Sequence, residues 1–394
     1  MTEWREVALG DVATVAWGDT SITKSAYVTT GVPAYSASGP DGFLPAAHNQ
    51  GDGVVVSAIG ANCGKTWFAR GAWSCIKNTL WFQASNDVDA RFLYYATADP
   101  SNWPKRGAAQ PFISLGDAKA MKLDLPPLAN QKVIAATLGS MDDLIENNRR
   151  RIALLEQMAQ AIYQEWFVHF RYPGHEHASL VDSELGPIPD AWDVVELGSV
   201  AEAERLTVHP KHDPDAYFDH YSIPAFDDGQ LPSVESGETI RSGKYAVTQP
   251  AVMVSKLNPR IPRTWFVEPS GARAVASTEF VILRPKGERS LDWTYATVTS
   301  PQFEDRMTQL SGGTSGSHQR LRPGDMLGIP VLDPPTELVR HTTDAIGPAL
   351  AMARRLRLQA RELGAIRDLL LPKLVTGQID VSELDLDAVV GSVA

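Results

Sequence analysis

The feature that most constrains this chain is a diverged internal duplication. Trp4-Arg5-Glu6-Val7-Ala8-Leu9-Gly10-Asp11-Val12 recurs as Trp192-Asp193-Val194-Val195-Glu196-Leu197-Gly198-Ser199-Val200, 188 positions later. Val32-Pro33-Ala34-Tyr35 recurs as Ile223-Pro224-Ala225-Phe226 at an offset of 191. Val54-Val55-Val56-Ser57 and Lys65-Thr66-Trp67-Phe68 recur as Val252-Met253-Val254-Ser255 and Arg263-Thr264-Trp265-Phe266 at 198. Pro126-Pro127 recurs as Pro334-Pro335 at 208. Pairs in one order, with an offset that only grows, describe one unit copied once, the second copy carrying loop insertions. The fold must then be two variants of a single plan.

That plan has two parts. Before the di-proline, each copy is dense in Gly, Pro, Val, Trp and Thr in short runs, which reads as small strands joined by turns. After it the pattern becomes helical. Leu138, Met141, Ile145, Asn148, Ile152, Leu155, Ala159, Ile162 and Trp166 follow at alternating spacings of three and four, and so do Ala345, Ala349, Met352, Leu356, Gln359, Leu363, Ile366 and Leu370. Such alternation keeps one stripe facing a partner helix, the seam of a coiled coil. Each seam holds one amide, Asn148 or Gln359, and a buried amide there fixes register against a partner amide. The alternative is two amphipathic helices packed separately on their own lobes. Pairing is favoured, because short bundle helices rarely keep so strict a repeat so long. The expected fold is α+β: two β-rich lobes separated by two long helices in an antiparallel coiled coil, with pseudo-twofold symmetry. The expected boundaries are 1–127 (first lobe), 128–180 (helix and connector), 181–335 (second lobe) and 336–394 (second helix and tail).

Charge does not name a partner by itself. The net charge of −11 argues at first against nucleic acid, but two segments hold most of it. Residues 172–204 contain eight acids and no Lys or Arg, and four more acids follow Lys373, so the rest of the chain sums to about +1. Residues 241–290 hold nine basic against three acidic residues, enough for a local basic face. The two cysteines, Cys63 and Cys75, make neither a CxxC zinc site nor an oxidised framework. No basic region with an apolar stretch opens the sequence and no apolar run nears a membrane span, so the chain reads as cytoplasmic.

Several motifs resemble chemistry without completing it. Gly60-Ala61-Asn62-Cys63-Gly64-Lys65-Thr66 has three residues between its glycines where a phosphate loop needs four, and no helix pattern follows. Asp333-Pro334-Pro335-Thr336 lacks the aromatic residue that an amino-methyltransferase sets against a flipped base. His175-Glu176-His177 and His209, His212 and Asp213 lie in connecting sequence with too few ligands for a metal. No residue is assigned to catalysis, a cofactor or a metal.

What remains is polar loops at matched places. Lys105-Arg106-Gly107-Ala108-Ala109-Gln110 precedes Ile113 in the first copy, and Ser311 to Arg320, rich in Gly and Ser, precedes Leu321 in the second. Arg, Lys, Gln and Asn offer bidentate contacts to base edges, and glycine lets backbone approach closely. The expected DNA contacts are Lys24, Ser36, Ser38, Lys65, Lys105, Arg106 and Gln110 in the first copy. In the second they are Lys256, Asn258, Arg260, Arg263, His318, Gln319 and Arg320.

Over nearly its whole length the sequence resembles the specificity subunit of Type I restriction–modification enzymes. The resemblance is strongest at Trp166-Phe167-Val168-His169-Phe170, at Glu184-Leu185-Gly186-Pro187-Ile188-Pro189-Asp190-Ala191-Trp192, and at Leu369-Leu370-Leu371-Pro372-Lys373-Leu374-Val375-Thr376-Gly377-Gln378-Ile379. It implies two target-recognition domains, each reading half of a split asymmetric site in double-stranded DNA, with the coiled coil as spacer. It also implies docking of two methyltransferase subunits and of restriction (translocase) subunits. Catalysis, S-adenosylmethionine and ATP would belong to those partners, and no membrane is involved. The rival expectation is a coiled-coil assembly adaptor that does not itself read DNA.

Overall fold

The computed structural model describes residues 4–269, 271, 273–311 and 319–381. The chain divides into two compact units, Met1–Glu146 with Glu362–Ala394, and Asn147–Arg361. Both units repeat one β topology.

In the first unit Gly53–Ser57 is the central strand of a four-stranded antiparallel sheet, flanked by Thr79–Ala84 and Thr66–Ala69, with Ala13–Trp17 at the far edge. All five residues of Gly53–Ser57 are buried, which is why Val54, Val55 and Val56 follow one another without polar alternation. Gly53 is required there, since a Cβ would stand 2.5 Å from the Trp73 ring, itself 0 % exposed. A second sheet sets Val32–Ser36 parallel to Ala72–Cys75 and antiparallel to Gly39–Leu44. Arg5–Ala8 pairs with Lys122–Leu125 and so closes the lobe before the di-proline. The core is Leu9, Val54, Val56, Leu80, Phe82, Phe92, Leu93 and Ile113, joined by Ile134 and Leu138 of the long helix Leu128–Tyr163. Leu374 enters the same cluster, and the turn at Gly377 lies against Trp4.

In the second unit the matching sheet runs Ala201–Glu204, Phe280–Pro285, Ala251–Ser255, Thr264–Val267, in the same order. Asp193–Glu196 pairs with Pro330–Asp333 as Arg5–Ala8 does with Lys122–Leu125. The other sheet sets Tyr217–Tyr221 parallel to Ala274–Ala276. One sequence pairing is corrected here: Ile223–Asp227 is a short helix, whereas Val32–Ser36 is a strand. Ser222 caps that helix through Ala225 N–H, and Pro224 sits in its first turn, where a missing N–H costs nothing. By topology the partner of Val32–Ser36 is Tyr217–Tyr221, since each is the strand that pairs in parallel.

The long helices span Leu128–Tyr163 and Thr336–Val375. The first ends in a π-helical turn, Gln164–Val168, that turns Phe167 into the second lobe's core beside Trp192. Within the second unit the two helices meet directly. Asn148 Nδ2 donates to Gln359 Oε1 at 3.1 Å, and Ile152 and Leu155 pack on Ala353 and Leu356. Glu156 pairs with Arg357, and the falling partner numbers make this contact antiparallel. Within the first unit Asp142 pairs with Arg367 at 2.6 Å.

The seam is only partly the one the spacing predicts. Leu138, Ile145 and Leu356 are buried, and Leu155, Ile162, Leu363 and Leu370 are half-buried. Met352 and Ile366, however, are 40 % and 47 % exposed, while Thr342, Ile346, Leu350 and Ala353 face inward instead. The cause is the surface being covered. Leu338, Val339, Ile346 and Leu350 pack on the core of their own lobe. A helix on a broad core follows its own period of about 3.6, and the coiled-coil period of about 3.5 applies only where a helix is the partner. Both packing modes weighed from the sequence are therefore present, in different stretches of one helix.

Candidate nucleic-acid interface

Each unit holds two loops together by the same four backbone hydrogen bonds. In the first lobe Ser57 N–H donates to Lys65 O at 2.9 Å and Cys63 N–H to Gly60 O at 3.0 Å, closing the loop between two core strands. Gly60 N–H donates to Pro111 O and Ile113 N–H to Ala58 O, both at 2.9 Å, which binds that loop to the one before Ile113. In the second lobe Ser255 N–H donates to Arg263 O at 2.9 Å and Ile261 N–H to Asn258 O at 2.9 Å. Asn258 N–H then donates to Gln319 O at 2.8 Å and Leu321 N–H to Lys256 O at 2.9 Å. Residues 57–65 thus map on 255–263 without a gap. One of the loop's two left-handed residues is matched as well, Gly60 at φ +89° and Asn258 at +53°. These are the residue types that take this conformation at least cost.

This platform gathers most of the expected contacts of each lobe. In the first, Lys65, Lys105, Arg106 and Gln110 are all exposed on it. Lys105 crosses over Gly64, where an added Cβ would stand 3.1 Å from Lys105 Cε. Lys65 and Lys105 form no ion pair among the described residues. Arg106 pairs with Asp117 at 2.6 Å, and its guanidinium, then Ser114, holds the Asp117 carboxyl below its ordinary range. Lys24, Ser36 and Ser38 line a cleft of about 370 Å³ shared with Lys77 and Asn78. Ser36 is buried, and its Oγ donates to Asp41 at 2.6 Å. Asp41 also takes Lys24 at 2.5 Å and Tyr27 at 2.8 Å.

In the second lobe Lys256, Asn258, Gln319 and Arg320 share the platform, and Arg260 is exposed with no ion pair among the described residues. Arg320 is exposed too, though Glu279 holds it at 3.0 Å. Only 12 % of the Arg263 side chain is exposed, and it grips Asp227 through two bonds of 2.7 and 2.9 Å. His318 lies outside the described residues. Asp41, Asp227 and Glu279 went unread in the sequence, as did Asn62, which donates to Ala37 O at 3.1 Å. Only the gapless match of 57–65 on 255–263 offered a signal for the loop pairing.

The near-phosphate loop Gly60–Thr66 is a strand–loop–strand connection, as its failed glycine spacing implies. Among the described residues no group of three His, Cys, Asp or Glu side chains is placed to hold a metal, and no helix is long and apolar enough to cross a membrane.

A duplicated β-lobe with paired polar loops, followed each time by a long helix, defines a two-lobed recognition protein. Residues 1–157 match the family described as the Type I restriction modification DNA specificity domain. Over most of its length the chain is also similar to specificity subunits of Type I restriction enzymes. The MjaIX specificity subunit of Methanocaldococcus jannaschii is 24 % identical over 315 residues, covering 75 % of this chain and 71 % of that protein. The MjaVIII specificity subunit of the same organism is 29 % identical over 125 residues, 31 % of this chain and 29 % of that one. The crystal structure of the S subunit from M. genitalium shares the fold at a TM-score of 0.64, with 15 % identity, over 95 % of this chain and 96 % of that one.

Proposed function

We propose that this chain reads a bipartite, asymmetric DNA site for a Type I restriction–modification enzyme, each lobe reading one half-site through its two-loop platform. The observation that supports this best is the platform itself, built twice by the same backbone bonds yet carrying different side chains. One scaffold with two sets of readers suits a site whose halves differ. Lys65, Lys105 and Arg260 would meet phosphates or base edges, and Gln110, Asn258 and Gln319 the base edges. The chain contributes no catalysis; methyltransferase and restriction subunits dock on it and bring S-adenosylmethionine and ATP. It works in the cytoplasm.

The test is to express the chain with its methyltransferase subunits in a host lacking other modification and to sequence the methylated bases. A split motif with unlike halves is expected, and binding should fall steeply with salt as phosphate contacts are screened. Assembly of the subunits with no sequence preference would overturn the reading in favour of an adaptor.

A further inference from the structure

We infer that each lobe reads the 5-methyl group of a thymine through one exposed apolar side chain, Phe112 in the first lobe and Ile261 in the second. This rests on the DNA-reading function proposed above. Both residues stand on the platforms, among cations and amides. Phe112 is 38 % exposed and Ile261 50 %.

Neither is loosely held. Phe112 exchanges two backbone hydrogen bonds of 2.9 Å with Arg106, and its ring lies over Gly107. Ile261 sits between Pro259 and Pro262 in a turn closed on Asn258. A rigid backbone holding an apolar group in water gains when that group meets an apolar surface. Phe112 pairs with Arg106, which follows Lys105 in the chain, and Ile261 follows Arg260. Lys105 and Arg260, without an ion pair among the described residues, are cations that draw a phosphate backbone to the platform. Of the features on base edges in the major groove, the thymine methyl is the apolar one.

The two lobes do not offer this group from the same position. Backbone pairing puts Arg320 where Phe112 stands and Cys63, 5 % exposed, where Ile261 stands. The apolar reader has moved from one loop of the platform to the other, so the two thymines fall at different places in their half-sites.

The experiment uses the full chain assembled with its methyltransferase subunits, on duplexes carrying its methylated site. Each thymine of the site is replaced singly by deoxyuridine, which deletes the methyl and keeps the pairing. One thymine per half-site should lose about fourfold in binding, the equivalent of the ~0.8 kcal/mol of one buried methyl. Phe112→Ala should abolish that sensitivity in one half-site and leave the other intact; Ile261→Ala should do the reverse, and Phe112→Leu should keep it. The intact half-site controls for folding. Unchanged deoxyuridine sensitivity in the alanine variants overturns the inference, as does indifference of the wild type to every replacement. An assembly with no specific site sinks the DNA-reading function itself.

Discussion

Replacing Asn148 should do the opposite of replacing its partner. Asn148 is 0 % exposed; it donates one hydrogen bond to Gln359, and its Oδ1 is buried with no partner. Gln359 is exposed. A buried, unsatisfied polar atom costs about 1–3 kcal/mol, and a neutral hydrogen bond returns about 1 kcal/mol. Asn148→Leu removes the unsatisfied oxygen, adds apolar contact with Ile152 and leaves Gln359 to be solvated. It should change stability by about 0 to +2 kcal/mol, on the stabilising side. Gln359→Ala strands the Asn148 N–H as well and should destabilise by about 1–3 kcal/mol. In the Asn148→Leu background the same Gln359→Ala change becomes a surface substitution, within about 0.5 kcal/mol. The assay is urea unfolding of the full chain followed by circular dichroism, read as a double-mutant cycle. If Asn148→Leu destabilises as much as Gln359→Ala, or Gln359→Ala costs the same in both backgrounds, the buried-amide argument is wrong.

Three further outcomes are expected. Arg260→Ala should weaken specific binding by about 1–3 kcal/mol at one half-site if it reads a base, and lower binding evenly on all DNA if it meets a phosphate; Arg263→Ala should instead lower the stability of the second lobe, because it removes a mostly buried side chain and its two bonds to Asp227, and comparison of binding with thermal melting separates the two. Gly60→Asn should melt within about 1 kcal/mol of wild type, because Asn258 already holds the matching left-handed position, whereas Gly60→Val should lose clearly more. Burial, then the neighbouring Asp305, pushes Glu304 from its ordinary 4.5 up to about 7. The folded state therefore holds that proton more tightly, and the stability it lends is full below about pH 4.5 and lost as pH rises to about 7. Glu304→Gln should flatten this fall in urea midpoints between pH 5 and pH 8; parallel slopes would refute it.

Several features needed only the chain's own order. The duplication, the di-proline breaks, the buried run Val54–Ser57 and the two amides are all local or periodic signals. Locality is what makes them legible: a run of apolar residues or a repeat is fixed by neighbours in sequence, whatever lies across from it. The loops before Ile113 and Leu321 stood out for the same reason, through their Gly and basic content.

Tertiary structure alone decided which charges are free. Arg260 and Arg263 are three residues apart in one basic stretch, yet Asp227, 36 positions from Arg263, claims the second and leaves the first in water. The phase of the second long helix was likewise set by what it covers, lobe core in one stretch and a partner helix in the next. The pairing of the 57–65 loop with the one before Ile113 depends on strands folding between them. Ion pairs, seams and loop platforms are properties of two surfaces meeting. A sequence carries each surface but not the encounter.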